Sequence, residues 1–271
     1  MPVDLDSFPI RLFVKSQERA WAPTAIDYSH EASDWLALDD DERQLLLRLV
    51  SGFLVGERGV THELAPLQQA LRRRRGNMEA EMYVTAQMFE EARHVEFFQR
   101  WIDAALPGVL GRDIPYPELE GDMFSHRLPA VMEALSTDAT EEAIVRAVTT
   151  YHMVIEGVNA EASYPIYFDL IEASKRFPAL AAGIRLIRRD EARHIAFGTW
   201  LLQTLVERDP PLREVFEAEM ESLRPYALGL GQIFEPFGDR LPFGLVASRY
   251  AELSNEHYAA QLRAIDERVL A

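Results

Sequence analysis

The chain has 271 residues, enough for one large domain with a substantial core, and 48% of them are hydrophobic. Its formal net charge of −16 opposes binding to nucleic acid phosphates, and the absence of cysteine excludes disulfides, thiolate metal sites and thiol nucleophiles. Neither a long apolar run nor a secretory signal is visible, so we expect a soluble cytoplasmic protein without a membrane span.

Helical patterns follow an N-terminal segment, 1–37, that we expect to be irregular because it contains three prolines. Pro66 and Pro165 are predicted to kink or end helices. Strand-like alternation and hairpin turns are almost absent. The sequence therefore predicts an all-α fold, with a single domain over 1–271 and extra helices around a four-helix core. The predicted helices cover about 39–69, 77–104, 129–136, 140–174, 178–207, 212–234 and 242–269, with a loop over 107–128.

The tetrapeptide Glu-Ala-Arg-His occurs twice, at Glu91–His94 and at Glu191–His194. Residues i and i+3 share one face of a helix, so each copy can direct a carboxylate and an imidazole at one point. A single such spacing, as at Asp27 and His30, is expected by chance in an acidic chain. By contrast, repetition of the whole tetrapeptide in matching apolar surroundings is not expected by chance. Two such helices in a bundle predict a two-metal site, completed by a glutamate from each of two partner helices.

Glu57 and Glu156 are the candidates for these two further glutamates, since each lies within an apolar stretch. An isolated buried carboxylate is costly, so each must be paired, protonated or bound to metal. Glu57 precedes the first tetrapeptide by 34 residues (91 − 57), and Glu156 precedes the second by 35 (191 − 156). The matched spacing indicates two similar helical hairpins with pseudo-twofold symmetry. Glu63, closer to a helix end, is expected to be solvated.

The predicted ligand set comprises four carboxylates and two imidazoles, whose charge two divalent cations would cancel. Such ligands suit iron or manganese, and the residues alone do not choose between them. His152, four residues before Glu156, is an alternative ligand or hydrogen-bond donor, although such a histidine is more often packed or at the surface. Asp190, directly before a predicted ligand, is expected to hydrogen-bond a liganding histidine. The predicted ligands are Glu57, Glu91, His94, Glu156, Glu191 and His194.

These residues and their spacing resemble the ferritin-like dimetal-carboxylate superfamily, and within it the ribonucleotide reductase small subunit. The resemblance covers most of the chain, including the segment Trp21–Asp27, and implies a ferritin-like four-helix core. Two features depart from a working reductase subunit. Phe98 occupies the position of the radical tyrosine, and Ala264–Ala271 looks like a helix end rather than a flexible docking tail. We therefore expect no complex with a reductase large subunit.

A narrower match involves the segments Gly56–Thr61 and Tyr151–Gly157, which are similar to those of the reductase-small-subunit-like ligand-binding oxidases. In that family a valine is joined to a tyrosine by an ether bond, formed when the reduced site reacts with oxygen. Val60 and Tyr151 occupy those positions, although core packing would also explain them. On a regular helix Tyr151 would lie about 140° from Glu156, so we predict a local irregularity such as a π-bulge.

The same resemblance implies a mixed Mn/Fe site, with di-iron also possible, a long-chain fatty acid whose carboxylate meets the metals, and a homodimer. The implied activity is that of an oxidoreductase that activates O2 and removes hydrogen from an unactivated carbon. Its physiological substrate is not readable from the residues. Tyr164, two turns after Glu156, is a further candidate for hydrogen bonding or redox chemistry beside the site.

Alternative functions remain open at this point. Phe98 is compatible with the small subunit of a tyrosine-less Mn/Fe ribonucleotide reductase, and a di-iron hydroxylase is a second enzymatic alternative. The non-enzymatic alternative is a bundle that stores metal or carries lipid. Storage is disfavoured because ferritin subunits are shorter and form cages. Lipid carriage stays open because a bound fatty acid could be cargo, inhibitor or a substrate mimic.

Overall fold

The computed structural model describes residues 2–74, 78–106 and 121–267. These residues form an all-α structure, as predicted, and the described ranges contain no strand beyond one isolated bridge between Arg240 and Val246. The described ranges contain eleven α-helices: α1 Phe8–Glu18, α2 Glu31–Leu36, α3 Asp40–Glu63, α4 Ala65–Arg73, α5 Met78–Ala105, α6 Leu128–Thr137, α7 Glu141–Val148, α8 Glu161–Ser174, α9 Pro178–Arg208, α10 Leu212–Ala227 and α11 Ala247–Ala264. The described ranges also contain two π-helices, Met123–Arg127 and Thr149–Ala160, and 3₁₀ turns at Pro23–Ala25, Gly229–Ile233 and Pro242–Gly244.

The start of α3 shows why the acidic run was a good predictor of a helix. Asp39 accepts a hydrogen bond of 2.9 Å from the Glu42 amide, and the Glu42 side chain accepts one of 3.0 Å from the Asp39 amide. This capping box satisfies two amides that have no partner inside the helix. At the other end Pro66 occupies the first turn of α4, where its missing N–H is not needed, so the predicted long helix divides into two.

The prediction of an irregular segment over 1–37 is wrong for α1 and α2. Pro9 lies in the first turn of α1, a position that a helix tolerates, and therefore does not prevent this helix. Helix α1 buries Ile10 and Leu12 and packs against α5 and α9. Proline breaks a helix in its interior, but in the first turn of α1 it is compatible with the helix.

Several boundaries also differ from the prediction. The predicted loop over 107–128 contains a π-helix at Met123–Arg127, while 107–120 lies outside the described residues. The helix expected over 212–234 ends at Ala227 and is followed by a 3₁₀ turn. Pro165 lies inside α8 without ending it. The last four residues of the chain, 268–271, also lie outside the described ranges.

The four-helix core consists of α3, α5, α9 and the continuous run from the π-helix Thr149–Ala160 into α8. Helix α3 packs on α5, the π-helix packs on α9, and α5 meets α9. Helices α10 and α11 cover the outer side of the π-helix. This arrangement directs one face of each core helix toward a shared centre. Within the described ranges, no helix combines the length and apolarity that a membrane crossing requires.

Candidate metal centre

The six predicted ligand residues come together at the centre of the bundle, and all six are buried. They form two overlapping groups whose potential ligand atoms lie within 4.8 Å of one another. Glu91 and Glu191 belong to both groups. The arrangement can therefore hold two metal ions joined by two shared carboxylates. The first group is Glu57, Glu91, His94 and Glu191, and the second is Glu91, Glu156, Glu191 and His194.

Both imidazoles turn Nδ1 toward the carboxylates. His94 Nδ1 lies 3.3 Å from Glu57 Oε2, and His194 Nδ1 lies 3.0 Å from Glu91 Oε1 and 3.3 Å from Glu156 Oε1. These approaches lack hydrogen-bond geometry, since neither Nδ1 has a hydrogen-bond partner among the described residues. Oε2 of Glu91 and of Glu156 are unpartnered too. Nitrogen and oxygen lone pairs that face one another in a buried cluster fit a set of ligands around shared cations.

The other ring nitrogen of each histidine contacts a carboxylate from the opposite helix. His94 Nε2 lies 3.4 Å from Asp190 Oδ2, and His194 Nε2 lies 3.0 Å from Glu90 Oε2. Each carboxylate thus directly precedes the tetrapeptide of one helix and reaches the imidazole of the other. This places the ring proton on Nε2 and leaves Nδ1 available as a ligand. Asp190 was predicted for this role, whereas Glu90 was missed although it holds the equivalent position.

The arginine of each tetrapeptide binds these crossed carboxylates. Arg93 Nη2 lies 2.6 Å from Asp190 Oδ2, and Arg193 Nη2 lies 2.7 Å from Asp190 Oδ1 and also contacts Glu90. Trp21 Nε1 donates a hydrogen bond of 2.7 Å to Asp190 Oδ2. Burial favours the protonated acid, but the hydrogen bond with His94 and the Arg193 charge hold the pKa of Asp190 below its ordinary value. The spacing of residues in the sequence predicts no such role for Trp21 or for either arginine.

Burial and the facing charges together set the protonation of the cluster in the absence of bound cations. Burial raises the pKa of Glu57 to about 8 and the pKa of Glu156 well above its ordinary value. Burial would lower the histidine pKa values, yet the facing carboxylates raise the pKa values of His94 and His194 well above the usual range. The cluster therefore retains protons as counter-charge, and divalent cations would take their place.

The predicted irregularity before Glu156 is confirmed, because Thr149–Ala160 is a π-helix. Hydrogen bonds in a π-helix run from residue i to i+5, so Tyr151 and Glu156 share a face there. The Tyr151 hydroxyl donates a hydrogen bond of 2.7 Å to Glu91 Oε1. Tyr151 and Val60 are both buried and belong to the same hydrophobic cluster. The ether bond between them stays a prediction.

Three other residues from the sequence analysis lie near the cluster. Tyr164 is fully buried, and its hydroxyl has no hydrogen-bond partner among the described residues. Phe98 is fully buried, with its ring centroid 5.7 Å from that of Phe53. His152 belongs to neither ligand group and instead lies beside Gln87, with 3.3 Å between the two Nε2 atoms.

A cavity of about 270 Å³ adjoins the cluster. Its polar end is formed by the four predicted glutamate ligands, and Tyr164 lies in its wall. Most of the remaining lining is apolar, which suits a ligand with a polar head and a hydrophobic body. The apolar lining includes Phe53, Val60, Phe124, Ile155 and Leu230.

Comparison of the chain with known proteins finds a matching family model and similar solved structures. The family model described as "Ribonucleotide reductase, small chain" matches residues 10–228. A solved R2-like ligand-binding oxidase with aerobically reconstituted Mn/Fe cofactor has a TM-score of 0.90 and 29% sequence identity, covering 97% of this chain and 94% of that one. A valine-to-isoleucine variant with anaerobically reconstituted Mn/Fe cofactor has a TM-score of 0.88 and 30% identity over the same shares.

Proposed function

The chain belongs to the ribonucleotide reductase small-chain family, and from this membership and its buried cluster we propose that it is an O2-activating dimetal oxidase of the R2-like ligand-binding type. The observation that carries the proposal is the pair of overlapping ligand groups that share Glu91 and Glu191. Two histidines with Nδ1 facing inward complete these groups. Such a centre is built for two metal ions rather than for one.

We propose manganese and iron as the two metals, with di-iron as a second form. The proposal is supported by the Mn/Fe cofactor of the similar solved structures and by the carboxylate and imidazole donors of this chain. The proposed ligands are the six side chains of the two groups. When bound there, two reduced metal ions would supply electrons for the reduction of O2 and so the oxidising power that an unactivated C–H bond requires.

The chain's own part in the first oxidation falls to Val60 and Tyr151. We propose an ether bond between Val60 Cβ and the Tyr151 hydroxyl oxygen. Forming it removes one hydrogen from each residue, so the pair loses two protons and two electrons. Together with one electron from each of two reduced metal ions and two protons from solvent, these would reduce O2 to two molecules of water. The Tyr151 hydroxyl already donates to Glu91, which can receive its proton. This step is the two-electron oxidation that we assign to the site.

The cavity supports a long-chain fatty acid as the ligand. Its carboxylate would meet the metals at the polar end, and its acyl chain would lie against the apolar lining. We propose that Tyr164 hydrogen-bonds such a ligand or exchanges an electron beside the metals. Its buried hydroxyl, which has no partner among the described residues, supports this role. From the family we further propose a cytoplasmic homodimer, and from the net charge no nucleic acid partner.

The competing proposal is a tyrosine-less Mn/Fe reductase small subunit, which Phe98 would permit. The discriminating experiment is reconstitution with Mn(II) and Fe(II) under nitrogen, followed by exposure to O2. Our proposal predicts metal uptake, O2 consumption and a link between the Val60 and Tyr151 peptides, without nucleotide reduction when a reductase large subunit is added. Absence of metal uptake would refute it, and nucleotide reduction would favour the competing proposal.

A further inference from the structure

The two halves of the centre have the same types of ligand at matching positions, but the residues four positions before the glutamate ligands differ between the halves. Helices α5 and α9 correspond at a separation of 100 residues, as the two tetrapeptides show. Gln87 precedes Glu91 by four residues, and the equivalent residue before Glu191 is Ile187. Both side chains are fully buried. A buried amide on α5 therefore stands where α9 has a purely apolar side chain.

The partner helices break the symmetry at the matching place. His152 precedes Glu156 by four residues, and the equivalent residue before Glu57 is Phe53. His152 is fully buried against Gly198. A Cβ atom on Gly198 would lie only 2.3 Å from that of His152, so the glycine makes room for the imidazole. At these two positions the half of the centre around Glu156 has polar side chains where the half around Glu57 has apolar ones.

Gln87 joins this histidine to the metal cluster. Its Nε2 lies 3.3 Å from Glu156 Oε1 and 3.3 Å from His152 Nε2. A metal-bound carboxylate only accepts, so in the loaded centre the amide NH2 group faces Glu156, and its second hydrogen can be donated to His152 Nε2 when the ring proton is on Nδ1. Burial lowers the pKa of His152 to about 3, which keeps the ring neutral and able to accept. His152 thereby fixes the orientation of the Gln87 amide.

We propose that Gln87 and His152 are positioning residues that hold Glu156 in place. The second ligand group, hereafter the Glu156/His194 position, then retains its metal ion more firmly than the first group, hereafter the Glu57/His94 position. Ile187 offers Glu57 no hydrogen bond, which leaves that carboxylate freer to change its binding mode. The inference rests on the proposed dimetal function. It adds a physical difference between two positions that have the same types of ligand.

The test uses Mn(II) alone, which avoids oxygen chemistry, and anomalous diffraction to measure the occupancy of each position. In the wild type, the Glu156/His194 position should fill at the lower Mn(II) concentration. Gln87→Met keeps the volume but removes the donor, and should weaken binding at that position by roughly tenfold, as loss of partners to metal ligands does. The Glu57/His94 position should be unaffected. Ile187→Met, the matched control on α9, should preserve the order of filling.

The histidine variants test whether orientation of the amide is the mechanism. His152→Phe removes the acceptor and should reproduce the effect of Gln87→Met, whereas His152→Gln retains an acceptor and should restore binding. If Gln87→Met does not fold, this pair decides the question. Equal filling of both positions in the wild type, or unchanged occupancies in the folded Gln87→Met and His152→Phe variants, would overturn the inference. Failure of the wild type to bind Mn(II) at all would instead refute the proposed function.

Discussion

The Tyr151 hydroxyl donates a hydrogen bond of 2.7 Å to Glu91, one of the two carboxylates shared by both ligand groups. On a regular α-helix, Tyr151 and Glu156 would point in different directions. The π-helix over Thr149–Ala160 brings the two onto the same face. A local change in helix geometry therefore brings a phenol into the centre without an additional structural element.

This geometry makes the crosslink a sharp prediction. After reconstitution with Mn(II) and Fe(II) and exposure to O2, the peptides containing Val60 and Tyr151 should appear joined, with a mass lower by two hydrogens than their sum. Tyr151→Phe should bind metal but form no link, since it lacks the oxygen. Tyr167→Phe is the control and should still link, because Tyr167 is buried outside the cavity lining and is not part of the bond. Separate, unmodified peptides from fully metallated wild-type protein would count against the assignment. The measurement is peptide mass spectrometry.

The sharing of Glu91 predicts a large effect of its removal. Glu91→Ala should take a ligand from both positions, so metal content should fall from about two ions per chain to one or none. Metal-dependent stabilisation should fall with it, by about 3 kcal/mol for each ion lost if the wild type is held at a hundredfold excess of metal over the dissociation constant. Elemental analysis and thermal unfolding measure the two effects. Glu96→Ala is the control, because Glu96 lies at the surface of α5 and pairs with Arg100. Two retained metals in Glu91→Ala would contradict the ligand set.

Much of this site follows from the spacing of a few residues. The repeated tetrapeptide and the matched positions of Glu57 and Glu156 predicted which side chains meet, because helix periodicity makes such positions calculable. The irregularity around Tyr151 was also predictable, since the angle on a regular helix was unfavourable. Glu90 could have been found by the same logic, because it precedes its tetrapeptide as Asp190 does.

Other parts of the site depend on contacts that local spacing does not encode. Trp21 reaches Asp190 across 169 residues of chain. Asp190 contacts His94 on α5, and Glu90 contacts His194 on α9. These contacts depend on how α5 and α9 pack, and that packing depends on the whole core. The N-terminal helix was missed for a different reason, since Pro9 breaks a helix interior but suits a first turn.

Removal of the metals should make stability depend on pH in a defined direction. The pKa of Glu57 is raised from 4.5 to about 8 in the folded protein, so between these values the folded state binds more protons than the unfolded state. The resulting stability is present below pH 4.5 and is lost as the pH rises through 8. His94 and His194, whose pKa values are also raised, act in the same direction above their ordinary value of 6.5.

We therefore expect the free energy of unfolding of metal-free protein to fall between pH 5 and 8, by about 1.4 kcal/mol per pH unit for each extra proton bound in the folded state. Urea unfolding across this range measures it. Glu57→Gln should reduce the slope, because it removes one titrating group, and metal-loaded protein should also have a smaller slope. A metal-free protein whose stability rises with pH over this range would contradict the assigned protonation of the cluster.

The cavity predicts a way to separate ligand binding from metal binding. Gly56 lines the cavity, and a Cβ atom there would lie at ordinary contact distance, 3.6 Å, from Phe124. Gly56→Leu should therefore be accommodated while its larger side chain fills space that an acyl chain needs. We expect loss of co-purified fatty acid by mass spectrometry of extracted lipid, with metal content retained. Gly231→Ala, where an added Cβ meets nothing within 4 Å, is the control. Unchanged lipid in folded Gly56→Leu would refute this cavity as the lipid site.

We propose that six side chains from four helical segments bind two unlike metal ions. A crystal structure of the Mn/Fe-reconstituted protein, with anomalous data collected at the iron and manganese edges, tests it directly. We predict two anomalous peaks between α3, α5, the π-helix and α9, bridged by Glu91 and Glu191, with both elements present. One peak alone, peaks away from these residues, or none after reconstitution would contradict the account.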